Sequence, residues 1–123
     1  DAVAAAERAA TMLGHLLLLP RSDGPDSGYE LVRIREGGVE HIGGFANAIE
    51  AINAMSARAV AFGGRMRVAI GHSDQASAPL ADALEGAVEA AASVTEVIRF
   101  RIGPSMGALT GPGVVSCVMC PLG

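Results

Sequence analysis

Hydrophobic spacing changes period several times along the chain, and each change marks an element. Residues 2–13 are Ala-rich, with Glu7, Arg8, Met12 and Leu13, and their propensity predicts a helix. Leu16 to Leu19 is a short, wholly apolar run that predicts a fully buried strand, ended by Pro20. Arg21 to Gly28 is a loop by its turn residues. Tyr29 to Arg35 alternates, Gly37-Gly38 reverses the chain, and Val39 to Ile42 returns, which predicts a hairpin. Phe45, Ala48, Ile49, Ile52, Met55, Ala59 and Phe62 then recur at steps of three and four. Asn47, Glu50, Asn53 and Arg58 lie opposite, and Gly63-Gly64 closes this helix. Ile49, Ile52 and Met55 are expected to face the sheet.

Met66 to Gly71 predicts a strand with Val68 and Ile70 on one face. Ser77 and Pro79 open a second amphipathic helix carrying Leu80, Ala83, Leu84, Ala87, Val88 and Ala91. Val97, Arg99 and Arg101 alternate with Ile98, Phe100 and Ile102, and Val114 to Met119 is a further apolar run. Strand, helix, strand over 66–102 is a βαβ unit whose crossover would be right-handed. The fold class is therefore α/β: a single domain over 1–123, a mixed sheet with flanking helices.

Composition adds to this. Half of the 123 residues are hydrophobic but only 3% are aromatic, with no Trp, so the core is built of Ala, Val, Leu, Ile and Met. Small side chains and adaptable Met suit a flexible apolar guest, but an Ala-rich coding bias produces the same composition and is the preferred explanation. All nine basic residues are Arg, in line with that bias. A net charge of -4, no basic cluster and few aromatics argue against nucleic-acid binding. No apolar run approaches the ~20 residues of a membrane span. Nothing reads as a signal peptide, and two Cys do not make a disulfide scaffold, so the expected compartment is the cytoplasm. The chain begins with Asp1 and is read as a piece of something longer.

Candidate chemistry is sparse. Cys117 and Cys120 form a C-x-x-C on a predicted strand, where a period of two puts them on opposite faces. No second pair completes a zinc site, and both are read as structural thiols, reduced and metal-free. His72-Ser73-Asp74 follows a strand and precedes a helix, where open α/β sheets bind ligands, so His72 is a candidate ligand contact. Asp74 or Ser77 could equally cap the helix. Arg99 and Arg101 share a strand face and could hold an anion, although a solvated edge-strand face is the preferred reading. His15 and His41 have nothing near them in sequence to suggest a role. There is no phosphate loop, no H-E-x-x-H and no G-x-S-x-G, so no self-contained catalytic site and no cofactor is expected.

One stretch remains. Between two apolar runs, Arg101 to Gly113 holds four Gly and two Pro, with Ser105 and Thr110 as its hydroxyls. Gly leaves backbone N–H groups uncovered and Pro fixes φ, which suggests a backbone pressed close to something, either the core or a ligand. Ile-Gly-Pro-Ser-Met-Gly-Ala-Leu-Thr-Gly-Pro-Gly, residues 102–113, resembles the pattern near the C-terminal end of DegV-family proteins, the fatty-acid-binding proteins that present an acyl chain to a fatty acid kinase. It departs at Leu109, where the family carries His, and a family Arg falls near Gly43. The resemblance implies a DegV-like C-terminal domain that encloses the acyl tail of a long-chain fatty acid. It further implies partners in a fatty acid kinase and in an N-terminal domain, absent from this chain, whose Ser and Thr hold the carboxylate. The site it implies comprises Gly103, Pro104, Ser105, Met106, Gly107, Leu109, Thr110 and Gly111, beside His72. Binding of a lipid is the first reading. An acyl carrier acting directly in fatty acid phosphorylation, or a structural domain without a small-molecule ligand, are the alternatives.

Overall fold

The computed structural model describes residues 14–21, 28–35, 38–62, 64–102 and 113–121. The expected helix over 2–13 lies outside them. Six strands form one sheet: β1 (Gly14–Pro20), β2 (Tyr29–Arg35), β3 (Gly38–Phe45), β4 (Met66–His72), β5 (Val94–Arg101) and β6 (Val115–Pro121). Two helices, α1 (Ala48–Val60) and α2 (Ala78–Glu89), lie between β3 and β5 in sequence. The strand order is β3-β2-β1-β6-β4-β5. Every pairing is antiparallel except β4 with β5, the pair joined through α2. This is the mixed α/β sheet that the periodicities predict.

The period of two decides which face each strand residue serves. Leu16 and Leu18 of β1, Leu31 of β2, Val68 and Ile70 of β4, and Cys117 and Met119 of β6 point to one side. Both helices bury their stripes there, α1 through Ala51, Ile52, Met55 and Ala59 and α2 through Ala81, Leu84 and Val88. Asn47 starts α1 by accepting a hydrogen bond from the Glu50 N–H through Oδ1, at 2.9 Å. Two helix faces depart from the sequence reading. Ile49 is 74% exposed and Ala51 takes its place in the core, because at about 100° per residue Ile49 falls beside the stripe formed by Ala51, Ile52, Met55 and Ala59 and not within it. In α2 the buried stripe runs through Ala81 and not through Ala83, which is exposed. Alanines occur on all sides of that helix, so their spacing carries little phase information.

The opposite face has a smaller apolar cluster: Leu17 of β1, Val32 of β2, Ile102 and Val114, with Leu19 and Ile34 against it. Among the described residues, no helix packs on this side. Phe100 lays its ring directly over Gly71 of β4, where any Cβ would collide with it. Phe100 and Ile98 remain 38% and 44% exposed.

Two checks follow from the packing. Ile52→Ala should destabilise by about 2–4 kcal/mol in urea unfolding, whereas Ile49→Ala should stay within about 0.5 kcal/mol. The reverse order would mean the helix is rotated. Burial pushes the Cys117 thiol up to about 12, whereas Cys120 on the other face is only half-buried. Iodoacetamide at mildly alkaline pH should therefore alkylate Cys120 first and reach Cys117 only on unfolding, read by peptide mass spectrometry.

Candidate functional site

The C-terminal end of β4 is where the sequence pointed, and its backbone shows why. β4 lies between β5 and β6, and both ladders continue past it. The Ile102 N–H donates to the His72 carbonyl at 2.9 Å. The Ser73 N–H donates to the Val114 carbonyl at 3.1 Å, and the Val114 N–H donates to Ser73 Oγ at 3.0 Å. The turn after β4 therefore grips both flanks of the Gly/Pro stretch. The stretch itself, with Gly103, Pro104, Ser105, Met106, Gly107, Leu109, Thr110 and Gly111, lies outside the described residues.

Asp74 completes this grip. Its Oδ1 accepts from the Ser77 N–H at 2.9 Å and from Ser77 Oγ at 2.8 Å. Its Oδ2 accepts from the Gly113 N–H at 3.2 Å. Gly113 has φ +79°, a conformation that only Gly adopts without strain, so its identity is what lets the N–H reach back to Asp74. Neither side chain caps the helix as the sequence suggested: Ser77 precedes it but its hydroxyl serves Asp74 and makes no cap bond, and Asp74 accepts from Ser77 and Gly113 instead. The Ser77 hydroxyl, then the Ser77 and Gly113 amides and the Arg101 charge, hold the Asp74 carboxyl below its usual value against an opposing desolvation.

His72 is the last residue of β4 and not a loop residue. Its Nδ1 lies 3.2 Å from Arg99 Nη2. A guanidinium can only donate, so the contact is a hydrogen bond when Nδ1 is the acceptor. Arg99 also grips Asp82 and Glu85 of α2, at 2.6 and 2.9 Å. The solvated edge expected for Arg99 is corrected by these contacts: β5 is an edge strand, but α2 folds back over this face and supplies two carboxylates. Arg101 is exposed, with Nε 3.4 Å from the Ser73 carbonyl.

Sequence reasoning passed over His15. On the second sheet face its Nε2 meets Ser116 Oγ at 2.9 Å, although the two residues are 101 positions apart. They line a hollow of about 160 Å³ with Leu17, Phe100, Ile102, Val118 and Arg101. Burial pushes the His15 imidazole below its ordinary value, so it is uncharged at neutral pH. Only the pairing of β1 with β6 brings the two residues together, and nothing local in the sequence signals it. Among the described residues, no group of three or more His, Cys, Asp or Glu could hold a metal.

The Asp74 contacts set a pH dependence. A carboxyl whose folded value is depressed stabilises the fold above its unfolded value, and the contribution is lost as pH falls through the lower folded value. Asp74→Ala should destabilise by about 1–3 kcal/mol at neutral pH. The gap from the parent should narrow once pH drops below the usual 3.8 of the free side chain. Urea titrations across that range check it, and a gap independent of pH would refute the ionised clamp.

No family model and no curated protein matches this sequence. Solved structures do. A DegV lipid-binding protein from Thermotoga maritima superposes with TM-score 0.76 at 17% identity, over 89% of this chain and 43% of its own. A DegV family protein from Eubacterium eligens loaded with heptadecanoic acid gives TM-score 0.75 at 14% identity, over 99% and 49%. The fatty acid kinase B3 protein of Streptococcus pneumoniae, loaded with linoleic acid, gives TM-score 0.72 at 9% identity, over 88% and 44%. The chain has the fold of DegV fatty-acid-binding proteins and spans less than half the length of each.

Proposed function

We propose that this chain binds a long-chain fatty acid by enclosing its acyl tail, as the C-terminal domain of a two-domain DegV-type carrier. The observation that carries the reading is the second sheet face. It holds an apolar cluster and a hollow of about 160 Å³, with exposed Phe100 and Ile98 beside it. An aliphatic chain is the guest such a surface favours, at about 25 cal/mol for each Å² of apolar area buried. The fatty acids held by solved proteins of this fold support the same class of ligand.

The Gly/Pro stretch fits this reading. The residues that flank it, Ile102 on one side and Gly113 and Val114 on the other, are tied to the end of β4 and its turn. Gly103, Pro104, Ser105, Met106, Gly107, Thr110 and Gly111 are the residues we place at the ligand, with Leu109 adding apolar wall where the resemblance calls for His. The carboxylate is left to the N-terminal domain. The protein acts as a binding protein in the cytoplasm, and any phosphoryl transfer belongs to a kinase partner.

Native mass spectrometry after gentle extraction should show a retained fatty acid mass. Phe100→Asp places a charge on the apolar face at a half-open position, so it should lower fatty acid retention by about ten-fold or more while shifting the unfolding midpoint little. A parent protein that retains no lipid, or a variant that retains as much as the parent, would refute the assignment of this face.

A further inference from the structure

The hollow on the second face is apolar except at the His15–Ser116 pair and at Arg101. Leu17, Phe100, Ile102 and Val118 supply carbon, and Arg101 is exposed to water. The His15–Ser116 pair sits among them, with Ser116 only 3% exposed and His15 half-buried. Covering this pair with a purely apolar guest removes water from groups that one mutual hydrogen bond does not saturate. A Ser hydroxyl has one donor and two lone pairs. Whichever partner donates in the 2.9 Å contact, at least one lone pair of Ser116 is left over. A guest that donates there gains a hydrogen bond, and one that cannot leaves a buried acceptor unmet.

The chemistry of the complement is narrow. A carboxylate would set an anion beside an imidazole whose burial favours its uncharged form, and Arg101, the charged residue of the lining, is exposed to water, where an ion pair offsets little of the desolvation cost. A carbonyl can only accept, so it can take the Ser116 proton when His15 donates but can never use the spare lone pair. A hydroxyl both donates and accepts, is neutral, and is small enough to sit on a hydrocarbon chain within the space. A volume near 160 Å³ is close to that of a dry cavity known to take benzene, so it receives about six carbons of a longer chain. Building on the lipid-binding reading, we propose that the His15–Ser116 pair recognises a hydroxyl on the aliphatic chain, so that the preferred ligand is a hydroxylated fatty acid. Mostly apolar pockets take their specificity from a few placed polar groups of this kind.

The test is displacement of a fluorescent fatty acid from the full chain by stearic acid and by a panel of its monohydroxy positional isomers. At least one isomer should bind about ten-fold tighter than stearic acid, the worth of one hydrogen bond. Ser116→Ala should bring the two within about two-fold by weakening the hydroxylated acid, with stearic acid unchanged. His15→Phe, which keeps a ring but removes the hydrogen bond, should do the same and decides the matter if Ser116→Ala fails to fold by circular dichroism. Stearic acid bound as tightly as every isomer overturns the proposal alone, as does a preference that survives both substitutions. Equal weakening of stearic acid and its isomers would show that the pair holds the carboxylate, which also overturns it. Binding of no fatty acid at all rejects it together with the lipid-binding reading.

Discussion

Strand β4 is hydrogen-bonded along both edges, to β5 in parallel and to β6 in antiparallel, and both ladders run on past His72. A backbone paired on both sides has its amides and carbonyls satisfied and its direction fixed. The residues that follow inherit that rigidity. Ser73 exchanges hydrogen bonds with Val114, and Asp74 reaches Ser77 ahead and Gly113 across. The start of α2, the end of β5 and the start of β6 therefore meet at one turn. Deleting the β4 pairing would release all three.

The same sheet sorts chemistry by face. Towards the helices it is filled mainly by Leu, Ile, Val and Met, and Arg99 on that face is neutralised by Asp82 and Glu85 of α2. Away from the helices it carries the apolar cluster and the His15–Ser116 pair, with the Arg67–Glu96 ion pair elsewhere along β4 and β5. Among the described residues both helices lie on one side, which leaves the apolar cluster of the other face without a helix over it. Aromatic rings are scarce in the chain, and one of the three Phe, Phe100, stands there over Gly71.

Most elements were legible in the sequence because their spacing is local. The hairpin of β2 and β3, the βαβ unit over 66–102 and the apolar run of β6 each follow from neighbours within a few residues, Asn47 caps α1 with its own side chain, and Pro79 stands in the first turn of α2. Where the residues are ambiguous, so was the reading. Ile49 fits an apolar stripe by its spacing from Ile52, but packing centres the buried stripe on Ile52, Met55 and Ala59 and leaves Ile49 at its exposed flank. Arg99 fits a solvated edge until α2 is placed over it.

The sequence by itself determined the strands and helices, the α/β class, the Gly/Pro stretch, and through that stretch the likeness to fatty-acid-binding proteins, since each depends on residues close together in the chain. Only the tertiary structure decided the strand order, the face on which the described helices pack, and the meetings of His15 with Ser116 and of Asp74 with Gly113. Those pairs are separated by 101 and 39 residues. Their contact is a property of which strands lie side by side, a choice made by burial summed over the whole sheet and not by any local pattern.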